Sequence, residues 1–282
     1  MSQISAAAVK ALRDRTNMPM MECKTALTEA NGDMDKAVEL LRKKFKDAAD
    51  KRVGRETAEG RIAVFVDPAQ KAGAIVEMRC ESPPVIKSEQ FVQLANDVAK
   101  QVALKNPATV EELLAQPFVD KPGQTVAERI NDTIGLIREN MKVARFTRMT
   151  GLLGGYTHHD GSVGVLVQVE GSAADAQLLR DVSMHITAKN PVSAKREDVP
   201  AATVEKEKEI AKSQMAADPK NAGKPANILD KIVEGKMKAW FAENVLVEQP
   251  FVKDDSKTVG QLLQSAGLTM GRFVRYKVGE LS

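Results

Sequence analysis

The chain repeats its own plan, and that repetition limits its possible folds more than any other feature. Two extended runs, Ile62–Val66 and Ala74–Met78, are joined through turn residues Asp67-Pro68 and Lys71-Ala72-Gly73. An amphipathic helix follows, with Phe91, Leu94, Ala95, Val98, Ala99, Val102 and Ala103 at helical spacing, and it stops at Lys105-Asn106-Pro107. A second stretch runs the same way. Strands over Met141–Met149 and Val163–Val169 flank Gly151–Tyr156, and a helix carries Ala174, Leu178, Val182, His185 and Ile186 to Lys189-Asn190-Pro191. A shorter echo lies within this one. Gln116-Pro117-Phe118-Val119 leads to Thr125-Val126, and Gln249-Pro250-Phe251-Val252 leads to Thr258-Val259. In both, a proline-fixed segment pins a Phe and ends at a Thr placed to cap a helix. The pattern implies two related α+β subdomains with antiparallel sheets, packed into one core, and a last strand over Arg272–Val278.

The flanks add helices. Residues 4–44 read as three short ones: Ser5 caps the first, which stops near Thr16-Asn17. Pro19 starts the second, Asn31-Gly32 stops it, and Asp33 caps the third. Residues 45–60 are polar and basic, without periodicity, and read as a linker or a frayed helix. Between residues 200 and 245, the charged run Val204–Met215 and the run Ile228–Phe241 flank Asp218-Pro219 to Gly223-Lys224-Pro225, which is too rich in Pro and Gly for a helix. Their narrow apolar stripe predicts an antiparallel hairpin, a two-stranded coiled coil standing off the body. The expected organisation is a three-helix domain over 1–45, a basic linker over 46–60 and a first core subdomain over 61–140. A second subdomain over 141–199 and 246–282 is interrupted by the hairpin at 200–245.

Aromatics make up only 4% of the 282 residues, so Leu, Val, Ile, Ala and Met must fill the cores. The net charge of +3 is too balanced to announce a nucleic-acid binder. The positive excess is local, in Arg42, Lys43, Lys44, Lys46, Lys51, Arg52 and Arg55, and reads as a solvated linker or an anion site. Cys23 and Cys80 form neither a metal-ligand spacing nor a disulfide framework. The opening MSQISAAAVKALRDRT has no signal-peptide core, and no apolar run approaches the roughly 20 residues that span a bilayer. A cytoplasmic protein without membrane contact is expected.

Site chemistry is sparse. His158-His159-Asp160 suggests a metal or acid–base site, but adjacent side chains on a strand point apart and no third ligand is near in sequence. His185 falls on the apolar face of its helix and reads as a core histidine. Gly151-Leu152-Leu153-Gly154-Gly155 lacks the Lys-Ser/Thr of a phosphate loop. No catalytic residue, metal or cofactor is expected, which favours a binding protein over an enzyme.

Specific motifs narrow the class. Leu12-Arg13-Asp14-Arg15-Thr16, Met20-Met21-Glu22-Cys23-Lys24-Thr25-Ala26-Leu27 and Glu29-Ala30-Asn31-Gly32-Asp33 closely resemble the signature of the elongation factor Ts family. The likeness continues through Val163–Val167, Met184-His185-Ile186, Lys231–Lys238, Gln249–Val252 and Ser256–Leu263, so it spans nearly the whole chain. The three helices resemble that family's ubiquitin-associated-like domain. The resemblance implies guanine nucleotide exchange on the GTPase elongation factor Tu, with no bond broken. It also implies contact residues. Arg13, Met20, Met21 and Lys24 would dock on a helix of the partner's nucleotide domain, with one of the two methionines outside and the other free to be core. His158, in Tyr156-Thr157-His158, would sit in a loop near that domain, and the hairpin would make an outlying contact.

The sequence departs from the family at two places. Many members carry Thr-Asp-Phe-Val after the strand cysteine, and its Asp and Phe reach in near the partner's magnesium site. Here Cys80-Glu81 is followed by Ser82-Pro83-Pro84-Val85, with no carboxylate or aromatic to act as that wedge. Two prolines fix φ and remove two N–H donors, so a stiff, extended loop is predicted. The helical C-terminal extension of some members is also missing after Gly279-Glu280-Leu281-Ser282. Two other classes stay open: a paralogous module that holds elongation factor Tu without efficient exchange, and a metal-dependent enzyme using His158 and His159.

Overall fold

A computed structural model describes residues 4–16, 18–221 and 224–280. Asn17 of the first helix stop, Ala222-Gly223 of the hairpin turn and Leu281-Ser282 lie outside the described residues. The fold is α+β, with helices in its N-terminal region and antiparallel strand pairing. The chain divides into two compact units. One holds the residues up to Arg148, Thr157–Gly164 and the segment from Tyr276; the other holds Met149–Tyr156 and Val165–Arg275.

The first unit begins with α1 (Ala6–Thr16), α2 (Met20–Glu29) and α3 (Met34–Asp50). Ser5 Oγ accepts the Ala8 N–H, and Asp33 caps α3 by accepting from Asp35 and Lys36. Pro19 is the residue before α2 rather than its first helical residue, with φ −57° and ψ 141°. Leu12, Met18, Cys23, Leu27, Ala37 and Leu41 form the bundle's small core. α3 continues through Asp50, past the boundary expected at residue 45. Leu41, Phe45 and Ala49 follow one another at intervals of four, a stripe that the surrounding lysines mask in the sequence.

Next come β1 (Glu59–Asp67) and β2 (Ala72–Cys80), paired antiparallel with Glu59 opposite Cys80 and Asp67 opposite Ala72. Then follow α4 (Pro83–Ile86), α5 (Glu89–Lys105), α6 (Val110–Ala115), β3 (Pro117–Phe118), β4 (Lys121–Thr125), α7 (Val126–Ile137) and β5 (Met141–Thr150). The sheet order is β1-β2-β5. β2 is buried almost end to end, and α5 lies on the sheet through Phe91, Leu94, Ala95, Val98 and Val102. α3 packs on α7 at Gly135, where a Cβ would fall 1.9 Å from the Phe45 ring.

The second unit takes most of β6 (Leu152–Thr157) and β7 (Val163–Glu170), which precede α8 (Ala176–Lys189). α9 (Ala201–Ala217) and α10 (Ala226–Asn244) form the hairpin and meet around Ala211, Val233 and Met237. The segment between them is not wholly irregular. Pro219–Asn221 makes one 3-10 turn, which the fixed φ of a leading proline favours. β8 (Pro250–Phe251), β9 (Asp254–Thr258), α11 (Val259–Ser265) and β10 (Thr269–Lys277) complete the chain, with sheet order β10-β7-β6. Val165, Val167, Leu179, Ile186, Phe251 and Leu263 centre this unit's own apolar cluster.

The repetition holds at atomic detail. α5 and α8 both end on a left-handed asparagine, Asn106 at φ 49° and Asn190 at φ 48°. Thr125 and Thr258 both form capping boxes, with Glu128 and with Gln261. The backbone of Gln116 accepts from Val126, and that of Gln249 from Val259, each at 3.0 Å.

Candidate partner-binding site

The first group of candidate residues lies on the bundle. Cys23, Ala26 and Leu27 point α2 inward, which turns Met20, Met21 and Lys24 outward; Arg13 is exposed on α1, which packs against α2. Both methionines are outside, Met20 46% and Met21 70% exposed, so the expectation of one core member is corrected. Met18, only 3% exposed, fills the core position instead. Met20 and Met21 thus form an exposed, adaptable apolar pair with Lys24 one turn further along α2.

The second group is a one-turn helix, not the extended loop expected. Only Ser82 is extended, with φ −127° and ψ 150°, as the residue before a proline should be. Pro83 and Pro84 occupy the first positions of α4, where their fixed φ suits the helix and their missing N–H groups would have had no intrahelical partner. Both prolines are exposed, whereas Val85 beneath them is buried in the core. Val85 donates its N–H to Ser82 O at 3.3 Å, and Ser88 donates its hydroxyl to Val85 O before capping α5. The result is an apolar knuckle with a hydrophobic root.

A polar network that the sequence did not reveal fastens the knuckle. The Glu139 carboxylate accepts the Ser82 N–H at 3.0 Å through one oxygen and the Ser82 hydroxyl through the other. In return Glu81 accepts the Asn140 N–H and pairs with Arg55 at 3.5 Å. The Asn140 side chain donates to Arg55 O at 2.9 Å, and Arg52 donates to Arg138 O at 3.0 Å. Burial, then the Glu139 and Glu59 charges, push the adjacent Cys80 thiol up to about 12, so it stays a neutral filler.

His158 is half-buried in the turn between β6 and β7. The turn is tied down on both sides: His158 donates its N–H to Val163 O, and Gly161 donates to His158 O, both at 2.8 Å. Gly161 O in turn accepts from Ile62 of β1 at 2.8 Å, and α4 also packs on β1, so one strand carries both loops. The rings of His158 and His159 meet edge-on at 4.3 Å, because they sit in a turn and not on a strand with side chains apart. Asp160 is spent on the turn. It accepts the Ser162 N–H and hydroxyl, and these bonds outweigh burial and hold its carboxyl below its usual value. Among the described residues no group of three or more His, Cys, Asp or Glu is arranged to hold a metal ion.

His185 is fully buried and hydrogen-bonded through both ring nitrogens, to Gln249 and to the Val252 N–H, as a core histidine should be. Cys23 and Cys80 are buried free thiols. No helix among the described residues is long and apolar enough to cross a membrane.

The family whose model matches the chain is described as Elongation factor TS, and the match covers residues 81–280. Similar proteins include the elongation factor Ts of Methylococcus capsulatus (Bath), 47% identical over 98% of this chain and 92% of that protein. That of Thioalkalivibrio sulfidiphilus is 45% identical over the same shares. That of Clostridium botulinum is 40% identical over 98% of this chain and 93% of its own length.

Proposed function

The chain belongs to the elongation factor Ts family of translation elongation factors, and from that premise we propose that it is a guanine nucleotide exchange factor for elongation factor Tu. It binds the GDP-bound GTPase, weakens the hold on GDP and lets GTP take its place; no bond is broken, so it is a helper and not an enzyme in the usual sense. The observation that carries this reading is similarity to elongation factor Ts proteins along 98% of the chain. The energetics are a coupling: the factor weakens GDP binding by the same factor by which GDP weakens binding of the factor. Each 1.4 kcal/mol of coupling is about tenfold in GDP affinity.

The parts divide the work. Arg13, Met20, Met21 and Lys24 dock the bundle on the partner's nucleotide domain. His158 contacts the same domain. Ser82, Pro83, Pro84 and Val85 stand where many family members carry the Asp-Phe wedge. The exposed Pro83-Pro84 knuckle has no carboxylate to compete at the partner's magnesium ion, so its role is steric. It presses on partner backbone without an ordering cost, since its shape is fixed before contact.

The test is loss of a fluorescent GDP from elongation factor Tu with and without the protein. Catalytic amounts should accelerate release. A rate unchanged at saturating protein overturns the proposal. Tight binding with that unchanged rate makes the chain a module that holds elongation factor Tu.

A further inference from the structure

The geometry points to Glu139 as the residue that positions the Pro83-Pro84 knuckle for nucleotide release, by holding Ser82 through both carboxylate oxygens; the inference rests on the exchange reading above. The argument begins with what the knuckle lacks. A helix of one turn, Pro83–Ile86, is too short to hold itself in place. Pro84 removes one of the two N–H groups that a capping side chain could bind, and Ser82 Oγ makes no cap bond to the other, on Val85. The direction in which Pro83 and Pro84 project is therefore set from its two ends. Beyond the turn, Val85 is rooted in the core and Ser88 closes the turn by bonding Val85 O. At the start, the Ser82 peptide is fixed by Glu139, which takes both the N–H and the hydroxyl.

A bidentate carboxylate fixes orientation as well as distance, because two acceptor atoms meet two donors of one residue. Glu139 is itself held in register. It lies between Arg138, in the left-handed conformation at φ 66°, whose O accepts from Arg52, and Asn140, whose N–H goes to Glu81. Neighbouring residues thus exchange bonds in both directions, Glu81 to Asn140 and Glu139 to Ser82. The clamp spans the end of β2 and the start of β5, so the rigidity of the sheet is passed to the knuckle. Glu139 need not touch the partner for this; it acts through Ser82.

The experiment measures partner affinity and the maximal GDP release rate separately, on the full chain, for the parent and for Glu139→Ala, Ser82→Ala and Ser82→Thr. Loss of a hydrogen bond to a charged acceptor should lower the release rate at saturating protein about tenfold in both alanine variants. Affinity for nucleotide-free elongation factor Tu should change little, and Ser82→Thr, which keeps the hydroxyl, should restore the rate. A purely structural role would lower the melting temperature and leave the saturated rate alone. If Glu139→Ala does not fold, Ser82→Ala decides, since it removes one of the two bonds and leaves the carboxylate in place. A parental saturated rate in Ser82→Ala, or a loss in it that Ser82→Thr does not repair, overturns the positioning role. A parent that does not accelerate release at all overturns the exchange reading and this inference with it.

Discussion

Val252 donates its backbone N–H to His185 Nδ1 at 3.2 Å, and so fixes the tautomer: the other nitrogen, Nε2, carries the proton and donates it to Gln249 Oε1 at 2.9 Å. The first copy solves the same problem with an amide. Val119 donates to Gln101 Oε1 at 2.8 Å, and Gln101 Nε2 donates to Gln116 Oε1 and Pro117 O. Gln101 and His185 each stand four residues before the Lys of Lys-Asn-Pro, and each clamps its Gln-Pro-Phe-Val segment to the helix.

One of these clamps titrates and the other does not. Burial holds the His185 pKa below its usual value, against the raising effect of Gln249 and with Lys189 adding to the lowering. The unfolded chain then binds a proton that the folded one refuses. Stability from this site is present above the ordinary histidine pKa of about 6.5 and is lost as pH falls from there towards the depressed folded value. Urea midpoints should therefore decline from pH 7.5 to pH 5, and His185→Gln, a copy of the Gln101 solution, should flatten the histidine part of that decline. Equal slopes in parent and variant would place the acid sensitivity elsewhere.

The exposed methionines separate binding from stability. Met21→Ala should weaken partner binding by roughly 1–2 kcal/mol, a hot-spot loss, with the melting temperature unchanged because that side chain is 70% exposed. Met18→Ala should do the reverse and cost about 2–5 kcal/mol of stability. Titration calorimetry and thermal melts on the two variants distinguish these outcomes.

Much of this was legible in the sequence because it is periodic. The amphipathic α5, the two Lys-Asn-Pro stops and the two Thr caps announce themselves through spacing. The inner face of the second helix shows in the spacing of Cys23, Ala26 and Leu27, but the same spacing takes in Met20, which is exposed. What was not legible depends on contacts distant in sequence. Ser82 and Glu139 have no pattern that links them, and neither do Glu81 and Asn140. Met18 stands before the helix begins, so helical periodicity could not assign it to the core ahead of Met20. The Pro83-Pro84 pair reads as extended in the sequence because prolines disrupt a helix interior, yet they fit its first turn, which is where the fold uses them.

A buried charge cluster sets a further test. Glu77 is 3% exposed and pairs with Arg79 at 2.9 Å and Arg145 at 2.7 Å, while it accepts the Gly279 N–H at 3.0 Å. Arg145 also stacks over Tyr276, whose hydroxyl meets Thr147 at 2.7 Å. Glu77→Ala leaves two guanidinium groups without their carboxylate and should cost about 3–5 kcal/mol. It should also release the segment after Tyr276, seen as faster proteolysis there. Loss of stability without new cleavage near residues 276–280 would separate the cluster from that segment.

The turn that presents His158 gives the last prediction. Gly161 has φ +79°, a left-handed conformation costly for any residue with a side chain, and a Cβ there would lie 2.6 Å from Arg61 Nη1 and 2.7 Å from Arg61 Cγ. Arg61 Cγ sits close to the backbone, so the contact is not with the far end of the side chain alone. Its guanidinium is partly buried, enough that burial lowers its pKa against the pull of Asp160. Gly161→Ala must therefore open the turn, and the bonds at risk are Ile62 N–H to Gly161 O and Gly161 N–H to His158 O. The expected cost is about 1–3 kcal/mol of stability, the range for local strain. If His158 acts on the partner from this turn, release of GDP should slow together with affinity, and His158→Ala in the unstrained parent should reproduce the functional loss without the stability loss. A Gly161→Ala protein that is destabilised but exchanges as the parent does would mean that His158 only completes the turn, leaving the knuckle and the bundle as the working contacts.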